Sequence, residues 1–237
     1  MKIIPIKTRV FEENENIISF ILKYVKKIPE GSVLVVTSKI VALSEGRTFS
    51  DMSVLAKEKL IKAESDFAIK TKLTWLTIKD GMVMASAGID ESNAKGKLIL
   101  LPKDSFRTAE QIRFELCKYF KIKNLGIIIA DSGLLPLRNG VIGIAQGYAG
   151  FNGVRSYKGK KDIFGRKFIY SSTNIVDSLA TGATLCMGEG NEQQPLALII
   201  DAPVIFTNKI DKKELRINSK EDIFYPLFKN LLNDKKR

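Results

Sequence analysis

Apolar residues recur along this chain at two different spacings, and the places where one spacing gives way to the other mark out its elements. From Asn16 to Ile28, Ile17, Ile18, Ile21, Leu22 and Val25 fall on one helical face with lysines opposite, until Pro29, Glu30 and Gly31 stop the pattern. Ser32 to Val36 is instead a continuous apolar, mostly β-branched run, which predicts a buried strand that delivers Thr37, Ser38 and Lys39 to its carboxyl end. Ahead of both, Ile3 to Lys7 is a short apolar run containing Pro5, as suits an edge strand.

Further along, Ser44 to Arg47 reads as a turn and Met52 to Ile69 predicts a charged, moderately amphipathic helix. Leu73 to Ile78 and Met82 to Ser86 predict two strands about the turn Lys79, Asp80, Gly81. Ala87 to Gly96 is polar and irregular, Lys97 to Leu101 predicts a strand closed by Pro102, and Thr108 to Phe120 a helix with Ile112, Leu116 and Phe120 on one face. Leu125 to Ile129 is the strongest strand signal, with Asp131, Ser132 and Gly133 at its carboxyl end, and glycine-rich Gly140 to Gly153 predicts backbone packed closely against a neighbour. A helix traced by Ile175, Val176, Leu179, Ala180 and Ala183 runs to Met187 and Gly188, and Leu196 to Ile200 is a further strand. Glu221 to Leu232 predicts a closing helix and Asn233 to Arg237 a frayed basic tail. The alternation is mixed, without repeats or a low-complexity linker. It predicts an α+β fold of two compact subdomains with mixed sheets, neither Rossmann nor P-loop.

Composition narrows the chemistry. The chain has 237 residues, 45% of them hydrophobic, enough to bury a sizeable core. No window has the apolar length of a membrane span, and Met1 and Lys2 lead to Pro5, Lys7 and Arg9 instead of an apolar stretch, so the expected location is the cytoplasm. There is no histidine, so any catalysis runs on carboxylates, hydroxyls, cations and backbone. Cys117 and Cys186 lie in apolar helical patterns and are expected to be buried free thiols. The formal charge of +12 suits an anionic partner, yet it is spread along the chain and is equally what a lysine-rich coding bias produces.

Three acidic residues stand among small neighbours: Asp90, Asp131 and Glu189. Singly, Asp90 and Asp131 read as turn formers and Glu189 as a solvated side chain between Gly188 and Gly190, which suit a helix end. As a set of hard oxygen donors they suit Mg²⁺ or Mn²⁺ bridging to phosphate, with glycines that let a ligand approach backbone amides. No Walker-type motif occurs, and the stretch Gly140 to Gly153 lacks the setting of a dinucleotide fingerprint.

Taken in order, Thr37 to Val41, Glu45 to Arg47, Ala87 to Asn93, Leu100 to Pro102, Ile129 to Ser132, Gly143 to Gly150, Lys161 to Arg166 and Leu185 to Gly190 resemble the coenzyme F-420:L-glutamate ligase family. The resemblance runs from about Pro5 to Ile200. It implies a GTP-dependent ligase with two divalent ions, Mg²⁺ or Mn²⁺, that forms a γ-glutamyl amide between L-glutamate and a small acidic acceptor by way of an acyl phosphate. By that resemblance Asp90, Asp131, Ser132 and Glu189 are metal ligands. Lys7, Thr8, Arg9, Val10, Thr37, Ser38, Asn93 and the loop Met187, Gly188, Glu189, Gly190, Asn191, Glu192, Gln193, Gln194 surround the nucleotide. Asp131, Arg138 and Lys39 are the catalytic candidates, and Arg47, Lys161 and Arg166 further anchors for carboxylates and phosphates.

The resemblance also implies an intertwined homodimer and two domains, residues 1–80 with 168–237 and an inserted 81–167. Leu135 stands where the family has an arginine, and Ala42, Leu43 and Ser44 where it has a serine, a lysine and an alanine. The acceptor is therefore open between a deazaflavin coenzyme and another such as a folate. A relative that binds a nucleotide without turnover is a second class of function. A nucleic-acid binder is a third, for which only the net charge speaks.

Overall fold

The computed structural model describes residues 1–228. In chain order its elements are β1 (Lys2–Ile6), α1 (Ile17–Tyr24), β2 (Ser32–Thr37), α2 (Ser38–Ser44), β3 (Thr48–Phe49), α3 (Val54–Glu64), β4 (Phe67–Lys70), β5 (Trp75–Lys79) and β6 (Met82–Ala85). There follow β7 (Leu98–Ile99), α4 (Ser105–Phe120), β8 (Leu125–Leu134), β9 (Val141–Ala149), β10 (Val154–Ser156), β11 (Ser172–Asn174), α5 (Ile175–Met187) and β12 (Leu196–Ile200). The helix expected over Glu221 to Leu232 extends outside the described residues, and the tail Asn233 to Arg237 lies wholly outside them.

The architecture is α+β. Its centre is a five-stranded mixed sheet in the order β1-β12-β2-β8-β9, in which only β2 and β8 run parallel. Successive residues of a strand point to opposite faces, and here both faces are covered, which is why the strands read as unbroken apolar runs. Leu34 and Val36 of β2, Ile127 and Ile129 of β8, and Leu196 and Leu198 of β12 pack with Phe20 and Ile21 of α1, Ile40 and Val41 of α2, and Ile112 and Leu116 of α4. Their neighbours Val33, Val35, Ile128, Ala197 and Ile199 face α5 through Val176, Leu179, Ala180 and Ala183.

Each long helix is started by its sequence. The Asn16, Asp104 and Asn174 side chains accept from the backbone N–H of Ser19, Arg107 and Asp177 at the heads of α1, α4 and α5. Gly188, at φ 84°, ends α5. Asp177 in the first turn of α5 also accepts from Ala145 N–H at 2.9 Å, which ties the helix to β9. Beyond the sheet, Glu214 accepts from the buried Tyr148 hydroxyl and from Gly153 N–H, fastening the segment after β12; burial and this carboxylate push the Tyr148 phenol up.

A smaller unit of β4, β5 and β6 packs Ile61, Ile89, Leu98 and Leu100 together. The expected hairpin is present, with Asp80 and Gly81 both at positive φ in its turn. The helix expected to reach Ile69 instead ends at Glu64, and Phe67 to Lys70 pairs antiparallel with β5. Strand partners satisfy that stretch better than a weakly amphipathic helix would. Arg47, expected to anchor substrate, donates to Leu101 O and to Glu64, which also pairs with Lys79. It thereby joins α3, β5 and the chain after β7. Cys117 is half-buried, but Cys186 is exposed, because the buried stripe of α5 leaves Leu185 and Cys186 outside it. No helix among the described residues is long and apolar enough to cross a membrane.

Strands β8 and β9 lie within the stretch 81–167 and hydrogen-bond into the sheet formed with β1, β2 and β12. Close approach on both sides of β9 is made by glycines. A Cβ on Gly143 would meet Ala180 O of α5 at 2.4 Å, and one on Gly147 would meet the backbone of Ser105 at 2.5 Å. Since backbone atoms cannot rotate away, Gly143→Ala and Gly147→Ala are each expected to cost about 2–3 kcal/mol in urea denaturation. An unchanged midpoint for either would show that the helix slides aside at no cost.

Candidate active site

The site is built at the carboxyl ends of the two parallel strands. Thr37 of β2 is in register with Ala130 of β8, so the following residues, Ser38 and Asp131, are also neighbours. Ser38 Oγ donates to Asp131 Oδ1 at 2.8 Å. A bulge between Ile129 and Ala130 shifts the register of β8 against β9 just before this point. Asp131 and Ser132 therefore lie within a continuing strand, not in the turn that their small neighbours suggested.

Around them is a cleft of about 590 Å³, of the size that holds a small-molecule ligand. Four elements contribute. The chain leaving β1 supplies Thr8, Arg9, Val10 and Phe11, and α2 supplies Lys39, Ile40 and Leu43. The irregular segment after β6 adds Gly88, Ile89, Asp90, Ser92, Asn93 and Lys95, and the loop after α5 adds Met187 to Pro195. That loop is held as a strap: Thr8 N–H donates to Gln193 O at 2.9 Å, Asn93 Nδ2 to Gly190 O at 3.1 Å, and Gly190 N–H to Glu192 Oε2 at 2.8 Å.

Of the candidates named from the sequence, Thr8, Arg9, Val10, Thr37, Lys39, Asp90, Asn93, Asp131, Ser132 and Met187 to Gln194 all line this one cleft. Lys7, Ser38 and Arg138 do not. Ser38 is buried behind Asp131, and Arg138 sits in the exposed turn between β8 and β9. Lys161 and Arg166 lie in the exposed arm between β10 and β11. Ser92 and Lys95 were not singled out, although the spacing of Asp90 and Ser92 is that of an Asx turn, which is what forms: Ser92 N–H donates to Asp90 Oδ1 at 2.7 Å.

The acidic groups differ in their surroundings. Asp90 accepts from Ser92 Oγ at 2.8 Å and pairs with Lys39 at 2.7 Å; burial raises its proton affinity, but these partners more than offset that and hold its carboxyl below the usual range. Among the described residues, Asp131 has only the Ser38 hydroxyl and the Ser132 amide as hydrogen-bond partners. Desolvation by the surrounding protein pushes it up to about 6, and the Asp90 charge adds to the rise while Lys39 opposes it. Ser132 Oγ donates to both oxygens of Glu189 at 2.7 Å, joining β8 to the strap.

These are hard oxygen donors, and the underneutralised Asp131 favours a positive charge beside it, so the donor set suits Mg²⁺ or Mn²⁺. No three Asp, Glu, Cys or His side chains among the described residues are close enough to hold an ion by themselves. The fit is to an ion that also takes oxygens from a bound anionic ligand, the usual habit of Mg²⁺.

Comparison with known proteins gives matches over most of the chain. The sequence model of the F420-0:gamma-glutamyl ligase family matches residues 5–201. A coenzyme F420:L-glutamate ligase of Methanococcus maripaludis is 42% identical over 146 residues, covering 62% of this chain and 58% of that protein. Those of Methanocaldococcus jannaschii and Methanopyrus kandleri are 29% and 31% identical, covering 94% and 73% of this chain and 96% and 75% of their own lengths. The match thus spans less than two thirds of the M. maripaludis protein and nearly all of the M. jannaschii one.

The raised pKa of Asp131 has a stability consequence. The folded state holds this proton between about pH 4 and 6 while the unfolded chain has released it, so stability falls as pH rises through that window. Because the carboxylate meets the solvent of the cleft, the cost at pH 7.5 is about 1–2 kcal/mol, less than the full shift implies. Asp131→Asn keeps an acceptor for Ser38, and in chelator-treated protein it is expected to unfold at higher urea than the parent at pH 7.5. The advantage shrinks toward pH 4.5. A variant less stable at both pH values would contradict the assignment.

Proposed function

The chain belongs to the F420-0:gamma-glutamyl ligase family, and we propose that it is a GTP- and divalent-metal-dependent ligase that joins L-glutamate to a carboxylate of a small acidic acceptor, as in coenzyme F420 glutamylation. The observation that carries this reading is the convergence of Asp90, Asp131, Ser132 and Glu189, from three distant parts of the chain, on one cleft that the strap loop also lines.

In this reading Asp90, Asp131, Ser132 and Glu189 hold Mg²⁺ or Mn²⁺, which when bound neutralises charge on the phosphate oxygens. The acceptor carboxylate attacks the γ-phosphorus of GTP and GDP leaves, giving an acyl phosphate. The neutral amine of glutamate then attacks the acyl carbon, and the tetrahedral adduct collapses to the amide with loss of phosphate and a proton. The chain's own residues chiefly orient and desolvate. Arg9 and Lys95 offer cations at the rim, while Val10, Phe11, Ile40 and Ile89 supply apolar wall against which a planar ring stacks. The turnover needs no imidazole.

The reading extends to a homodimer in the cytoplasm. Ile163, Phe164, Ile169 and Tyr170 of the arm between β10 and β11, with Leu135 and Leu137 in the turn after β8, leave apolar side chains exposed in one copy, and the same segments carry Arg138, Lys161 and Arg166.

The test incubates purified protein with GTP, Mn²⁺ and glutamate against deazaflavin and folate acceptors, reading products by mass and phosphate release. Glutamate-dependent phosphate release with a mass gain of one glutamyl residue on the deazaflavin acceptor is expected. Asp131→Ala should lower kcat by about a thousandfold or more while the fold persists. GTP binding without turnover on any acceptor would reduce the protein to a nucleotide-binding relative.

A further inference from the structure

Lys39 makes contacts that the ligase reading leaves unexplained. It stands in the first turn of α2, next to Ser38, and its ammonium reaches three acceptors on the segment after β6: Asp90 Oδ2 at 2.7 Å, Ser92 O at 2.8 Å and Ser92 Oγ at 3.1 Å. An ammonium has three N–H donors, so its hydrogen-bonding capacity is used in full. Asp90 is occupied as well, since both its oxygens accept from Ser92 and one also pairs with Lys39.

The other cations of the cleft are engaged away from this point, Arg9 with Glu15 and Lys95 with Glu12. Lys39 alone among the described cleft cations faces the acidic group, with Asp90 in contact and Asp131 within reach of its field. Glu189, the third carboxylate, is held by Ser132. An ammonium on a flexible four-carbon stem is a compact charge that can stand where a small cation stands and leave without disturbing the backbone.

We infer that Lys39 is a built-in counter-ion that occupies the cation position at Asp90 in the ligand-free protein and so weakens metal binding until an anionic nucleotide draws the ammonium away. This rests on the metal-ligand reading above and adds to it an order of events. Metal enters with the nucleotide, and Lys39, released from Asp90, becomes available to the incoming phosphates or carboxylates. Without a nucleotide Lys39 stays on Asp90 and offsets that one charge.

The experiment measures free Mn²⁺ by its electron paramagnetic resonance signal, with and without GDP, for the parent, Lys39→Met, Lys39→Gln, Lys39→Arg and the double variant Lys39→Met with Asp90→Asn. Without nucleotide, the Met and Gln variants are expected to bind Mn²⁺ about five- to tenfold more tightly than the parent, the effect of removing one competing ion pair. The Arg variant should stay near the parent, and the double variant should lose the gain. If neither neutral variant binds more tightly while the parent binds Mn²⁺ with GDP, Lys39 is no competitor and the metal reading survives. If no variant binds Mn²⁺ under either condition, both fail. Two neutral variants guard against one that misfolds, which circular dichroism reports.

Discussion

The parallel pairing of β2 with β8 is the constraint on which the rest of the molecule turns. Parallel neighbours end at the same edge of a sheet, so one register brings Ser38 and Asp131 together although 93 residues separate them. Both strands are apolar on both faces, and a slip of one residue would send a whole set of side chains to the wrong core. The apolar packing that stabilises the sheet therefore also fixes the distance between a hydroxyl and a carboxylate. Ligand sites at the carboxyl ends of parallel strands are the general rule for open sheets, and here the single parallel pair opens onto the cleft.

The strands of this sheet were legible because burial on both faces leaves continuous apolar runs, as at 32–36 and 125–129. The first helix was legible from its apolar face after Asn16 and the stop at Pro29 to Gly31. What stayed hidden depended on partners distant in sequence. Phe67 to Lys70 becomes a strand because β5 is there to receive it. The bulge that carries Asp131 onward in β8 depends on β9, and Arg47 is drawn from the cleft by Glu64. Cys186 was misplaced because an apolar-looking helix end was read without knowing which stripe faces the sheet. Residue types alone suggested Asp90, Asp131 and Glu189 as a set of hard oxygen donors, whereas the residues named around a nucleotide came only from the family resemblance.

Net charge proved a poor guide to local field. The chain carries +12, yet the cleft sets Asp90, Asp131, Glu189 and Glu192 against Arg9, Lys39 and Lys95. The excess of lysine lies elsewhere on the surface, where water screens it. Backbone geometry concentrates at the same place. Ser86, Ala87, Asn93, Lys95 and Gln193 all adopt positive φ in the segments that form or flank the cleft. Such conformations persist only where surrounding contacts enforce them, as Thr77 does by accepting from Ala87 N–H.

Pro5 has a quieter effect at the opposite margin. It lies in β1, the outermost strand of the large sheet on that side, paired inward with Ala197 of β12. Lacking an amide hydrogen, it leaves β1 one donor short, which makes this margin a poorer template for a foreign strand. The apolar run that builds the sheet thus carries, on its outer strand, a residue that disfavours its extension.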